Sequence, residues 1–110
     1  MLEDKLDSIE QHYVQLEEMM GHQDVVTDPR RLMELGRERA ELGDLVEIYR
    51  KYRDTNQQLI ETETMLSNDG LDPEMAELVR SEIDTLQAQR DRQMAEIKRL
   101  LLPKDPASTT

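Results

Sequence analysis

Ser67-Asn68-Asp69-Gly70-Leu71-Asp72-Pro73 is the stretch on which the fold turns. Its first residues are turn formers by composition. Its last two are a helix start, because Asp accepts from free backbone N–H groups and Pro at the first helical position lacks only an N–H that would go unpaired. Upstream, the same signal stands at Asp28-Pro29, and neither Pro nor a tight Gly pair interrupts the chain between that point and Asn68. Two heptad positions run along this segment: Leu35, Leu42, Tyr49, Asn56 and Glu63, and Glu38, Leu45, Tyr52, Leu59 and Leu66. This is a coiled-coil period with polar entries. Val46, Ile48 and Ile60 widen the apolar face beyond a two-stranded seam, which predicts contact with more than one helix. Gly36 and Gly43, seven apart, share a face; close approach of another helix is one use for them, and tolerance is the other.

Downstream of the turn, Val79, Ile83, Leu86, Arg90, Gln93, Ile97 and Leu100 recur at steps of four and three, with Met75, Leu78, Met94 and Leu101 broadening the face. The helix ends ahead of Pro103, whose ring disfavours helical geometry in the residue before it. A short turn between two long amphipathic helices predicts an antiparallel hairpin. Nearer the N-terminus, Leu2, Leu6, Ile9, Tyr13, Leu16 and Met20 mark one more helical face, and Gly21 offers a left-handed stop. Residues 22–27 show no helical period and read as a linker, with Val25 and Val26 able to tuck inward. The expected fold class is therefore all-α. Three helices, at about residues 2–20, 29–66 and 73–102, form a long antiparallel coiled-coil-like hairpin with a shorter N-terminal helix packed on it. The first helix is long enough to cover only part of the hairpin, so the remainder is expected to project as an arm. Residues 1–102 form the expected helical domain, and 103–110 a linker or cut-short tail.

Composition narrows the function. The chain has no Trp, Phe or Cys, so disulfides, Cys-ligated zinc and thiol nucleophiles are excluded. No apolar run approaches the roughly 20 residues of a membrane span, and the acidic start is unlike a signal peptide; the cytoplasm is the expected location. The net charge is −11, which opposes general nucleic-acid binding, since phosphate contacts need clustered Lys and Arg. It leaves room for a local basic patch.

Little in the chain points to catalysis. His12 and His22 lie in no zinc-ligand spacing and are expected to be solvated. Glu17 with Glu18, Glu61 with Glu63, and Asp69 with Asp72 are carboxylate pairs on helix surfaces or in a turn; an excess of carboxylates makes such pairs common by chance, and catalytic pairs need a cleft. There is no Ca²⁺-loop ligand series, phosphate loop or Ser-His-Asp set. No catalytic residue, cofactor or metal is expected. The candidate contact residues are basic: Arg30 and Arg31 at the start of the second helix, and Arg50, Lys51 and Arg53 around Tyr49 and Tyr52. Cations beside rings suit stacking and cation–π contact with RNA. The competing reading is intramolecular ion pairing and solvation, with both rings packed in the seam.

Three stretches carry a family resemblance: Leu6-Asp7-Ser8-Ile9-Glu10-Gln11-His12-Tyr13 with Leu16-Glu17, the run Leu42-Gly43-Asp44-Leu45-Val46-Glu47-Ile48-Tyr49 through Tyr52, and Leu100-Leu101-Leu102-Pro103-Lys104-Asp105-Pro106. On these, over essentially its whole length, the chain resembles the N-terminal helical domain of the bacterial peptide chain release factor 1 family. The resemblance implies a part in stop-codon-dependent translation termination on the ribosome. It also implies that codon reading by a Pro-x-Thr tripeptide and peptidyl-tRNA hydrolysis by a Gly-Gly-Gln loop belong to other domains. Neither motif occurs in this sequence, so no such residue carries over, no enzyme activity is expected, and the chain is expected to be the N-terminal piece of a longer protein. The implied partners are the ribosome and the methyltransferase that modifies the release-factor glutamine. A free-standing coiled-coil adaptor or chaperone-like module is the alternative; it calls for apolar residues at the hairpin tip, whereas Ser67 to Gly70 is polar. A tRNA-binding arm calls for a dense basic stripe. A homodimer through Ile48, Tyr52, Leu59 or Ile60 is the remaining partner expectation, should the arm leave them uncovered.

Overall fold

A computed structural model describes residues 1–68 and 70–102; Asp69 and the expected 103–110 tail lie outside them. Four helices follow in order: α1 (Leu2–Met20), α2 (Gln23–Val26), α3 (Pro29–Ser67) and α4 (Pro73–Leu101). The architecture is all-α, with α3 and α4 forming the hairpin. The chain divides into two compact units, Met1–Glu47 and a second beginning at Ile48, and α3 runs through both.

In the first unit, α1 lies antiparallel to the opening turns of α3. Leu6 and Leu16 are buried on the predicted face of α1, and Leu16, Val25 and Leu35 form a core cluster joined by Met19, Met20, Leu32 and Leu42. Val25 reaches that cluster because residues 23–26 are helical. This corrects the linker reading: a single turn is too short to show a period. Gly21 ends α1 with right-handed geometry (φ −90°), so the left-handed stop expected there does not occur. Asp28 caps α3 as predicted, its Oδ1 accepting from the Arg31 N–H at 3.3 Å. A side chain at Gly36 would meet Met20 Cε at 3.6 Å, and one at Gly43 would meet nothing; neither glycine is needed for a close approach.

In the second unit, Tyr49, Tyr52, Thr55 and Leu59 from α3 and Val79, Leu86 and Ile97 from α4 are buried. Gly70 takes a left-handed φ of +87° in the turn, where an L side chain would be strained. Asp72 caps α4 by accepting from Glu74 N–H at 3.3 Å, with Pro73 as its first residue. Leu102, ahead of Pro103, is extended, as the proline requires. Thr55 is 1% exposed. Its hydroxyl donates to Lys51 O at 3.0 Å and accepts from Gln89 Nε2 at 3.1 Å, so both its donor and its acceptor capacity are used. Ile60, expected to widen the apolar face, is instead 60% exposed, and Met75 and Leu78 are exposed with it. Of the residues expected to drive self-association, Tyr52 and Leu59 are covered within the hairpin itself.

Gln93 Oε1 is buried without a hydrogen-bond partner among the described residues. A buried acceptor left unpaired costs about 1–3 kcal/mol. Gln93→Leu should therefore raise the chain's stability by about 1 kcal/mol, read as a higher melting temperature with unchanged helix content. A fall in melting temperature would show that the amide is satisfied in solution.

Candidate functional site

The five predicted contact residues fall in two groups, one in each unit. Arg30 and Arg31 occupy the first turn of α3. Cations there oppose the helix dipole, a cost of about 0.3–1 kcal/mol each when exposed, so helix formation does not account for them. Arg30 is exposed and sits 3.6 Å from Glu34, one turn on. Exposed i,i+4 pairs of this kind contribute only a few tenths of a kcal/mol, which leaves the guanidinium largely at the disposal of solvent or a partner.

Arg50, Lys51 and Arg53 lie on the exposed side of α3 in the second unit. The Arg53 guanidinium lies 5.1 Å from the centroid of the Tyr49 ring, and that ring stacks on Tyr52 at 6.5 Å with an interplanar angle of 21°. Both tyrosines are buried. Tyr49 holds Arg53 by cation–π attraction, and neither buried ring presents an open face to an incoming base. Base stacking on the two rings is excluded by their burial.

A constellation unseen in the sequence lies between α1 and α3. His12 Nε2 and Glu38 Oε1 are 2.7 Å apart, and Arg39 Nη2 donates to Glu17 Oε2 at 3.1 Å. The Arg39 guanidinium also sits 5.1 Å from the Tyr13 ring centroid. His12 is therefore partnered, which corrects its reading as merely solvated. Its partner stands 26 residues away, so no local spacing signalled the pair. Near the end of α4, Arg99 Nε donates to Glu96 at 3.0 Å. That hydrogen bond, chiefly, holds the Glu96 carboxyl below the usual carboxylate range.

An open hollow of about 360 Å³ on α1 is lined by Glu10, Gln11, Val14, Gln15 and Glu18. All five belong to one helix, so the hollow is surface relief without opposed walls. Among the described residues, no group of three or more His, Asp or Glu could hold a metal ion, and no helix is long and apolar enough to cross a membrane.

The family model described as the PCRF domain matches residues 9–110. The chain is 40% identical over 103 residues to peptide chain release factor 1 of Bacillus subtilis (strain 168), which covers 94% of the chain and 29% of that relative. It is 44% identical to peptide chain release factor 1 of Ligilactobacillus salivarius (strain UCC118), covering 94% and 28%. With the same protein of Lactococcus lactis subsp. cremoris (strain MG1363) the figures are 42%, 94% and 29%. The chain thus spans less than a third of the length of these relatives. No solved structure matches it.

Proposed function

The chain belongs to the PCRF domain family, and from that premise we propose that it is the N-terminal docking domain of a peptide chain release factor acting in stop-codon-dependent translation termination in the cytoplasm. The observation that carries this reading is the match itself: about 40% identity along 94% of the chain to relatives named peptide chain release factor 1, of which it spans 29%. In this reading residues 1–102 are the helical docking part and 103–110 the lead-out. Codon reading and peptidyl-tRNA hydrolysis belong to segments that these 110 residues do not contain; the sequence has no Gly-Gly-Gln. The ribosome is engaged through the longer protein, with Arg30, Arg31, Arg50, Lys51 and Arg53 as the contact cations. The methyltransferase that modifies the release-factor glutamine is the second proposed partner, on the family resemblance.

The test is a chimera in which this chain replaces the matching region of the Bacillus subtilis factor. Peptide release at a stop codon should stay within a few-fold of the parent. Changing Arg30, Arg31, Arg50 and Lys51 to Glu should weaken ribosome binding by about tenfold or more and flatten its salt dependence. The isolated chain should release no peptide. Release by the chain alone, or a folded chimera that cannot engage the ribosome, would overturn the reading. The adaptor alternative draws on one observation, the exposure of Met65, Met75 and Leu78 on either side of the turn.

A further inference from the structure

We propose that the turn-proximal end of the α3–α4 hairpin is a docking surface for a basic amphipathic helix of another protein. The inference goes beyond the release-factor reading and does not depend on it.

The first support is an apolar flank. Met65 is 48% exposed, Met75 47% and Leu78 65%. Met75 and Leu78 are three apart on α4 and so share a face. The Thr55–Gln89 hydrogen bond fixes which levels of the two helices are opposite, and places Met65 beside Val79, at the height of Leu78. At about 100° per residue, Met65 stands roughly a quarter turn from the α3 seam, which is marked by Leu59 and Leu66. Following the two antiparallel helices round in their common right-handed sense puts Met65, Met75 and Leu78 on the same side of the hairpin, with Ile60 on the other. Two of the three are methionines, whose unbranched thioether chains adapt to the shape of a partner.

The second support is charge. Residues 58–84 hold eight carboxylates, and Arg80 is their only base. Arg80 is 3.8 Å from Glu77, and the same helical reckoning places it on the side away from the apolar flank. Glu61, Glu74 and Glu82 fall at the flank's border and are exposed. An apolar strip in a carboxylate border complements a helix that carries an apolar face between cations. A second copy of this chain would bring its own carboxylates against this border, and RNA would bring phosphates, so like-charge repulsion disfavours both.

The probe is a labelled leucine–lysine peptide of about four amphipathic helical turns, titrated into the full 110-residue chain with fluorescence anisotropy as the readout. The triple variant Met65→Gln, Met75→Gln, Leu78→Gln should bind it about tenfold or more weakly. Ile60→Gln, on the opposite side, should bind as the parent does, and a scrambled peptide of the same composition should bind poorly. If the triple variant loses helix content, the parent chain still decides the matter. Methionine-methyl NMR should show peptide-dependent shifts at Met65 and Met75 and none at Met33, and the absence of those shifts overturns the proposal. So does equal binding by parent and triple variant, or by the ordered and scrambled peptides, since bulk charge alone would then attract the peptide. Preferential binding of a single-stranded RNA in the same assay overturns it as well, as does sedimentation showing that the flank is occupied by a second copy.

Discussion

Ile97→Ala should destabilise the chain by about 3 kcal/mol, within the roughly 2–5 kcal/mol seen when a buried aliphatic side chain is cut to a methyl. Ile97 is 0% exposed. The substitution loses the transfer free energy of the missing carbons and leaves a cavity that two rigid helices cannot readily close. Urea unfolding should show the midpoint falling with little change in slope, since the surface exposed on unfolding is nearly the same. Ile60→Ala is the matched control. With 60% of its surface already in water, it should cost well under about 1 kcal/mol. A loss at Ile97 no greater than at Ile60 would mean that the end of α4 is not packed in solution as it is in the structure.

Leu16→Ala should cost a similar amount, about 3 kcal/mol, and should register elsewhere in the chain. Leu16 is 1% exposed and sits in the cluster with Val25 and Leu35. One side chain therefore bears on α1, on the single turn of α2 and on the start of α3. The polar contacts between α1 and α3, His12 with Glu38 and Arg39 with Glu17, involve half-exposed side chains, and such contacts contribute about 1 kcal/mol or less. They cannot offset the lost core. Amide hydrogen exchange should quicken in α1 and α2 well before it quickens along the hairpin. Uniform quickening over all four helices would instead show that the chain unfolds as one cooperative unit.

Much of the fold was legible in local chemistry. Both Asp-Pro pairs start helices, because capping and the missing proline N–H act within one turn. Gly70 takes its positive φ where the turn composition located it. The heptad reading of α3 identified Leu35, Leu45, Tyr49, Tyr52 and Leu59, all of them buried. It failed at Glu38 and Glu63, which are exposed, and it passed over Thr55. The reason is local: Thr55 lies four residues before the buried Leu59 and shares its face, whereas Asn56 stands to one side and is only partly buried. Thr also hides its polarity by bonding to the carbonyl four residues back, which makes a hydroxyl at a buried position inexpensive and invisible to a hydropathy pattern. Ile60, Met75 and Leu78 misled in the opposite direction: they are apolar by type, yet exposed among the described residues. Among the candidate contact residues, the sequence marked the cations and placed Tyr49 and Tyr52 in the seam, but it could not show that the Arg53 guanidinium lies over the Tyr49 ring. The His12–Glu38 pair depends on tertiary placement alone.

The Thr55–Gln89 hydrogen bond has a consequence for alignment. Two helices faced with repeating apolar residues can slide past one another by a turn or a heptad and still bury much the same surface, so apolar packing alone tolerates several registers. A part-buried polar pair in the seam does not tolerate them. Slippage would strand the part-buried Gln89 amide, at a cost of up to about 1–3 kcal/mol, while the Thr55 hydroxyl would keep its bond to Lys51 O. That penalty falls on the shifted arrangements and not on the native one. A single weak bond near the middle of the hairpin thus acts as a vernier: it adds little to the depth of the native well, but it removes its neighbours.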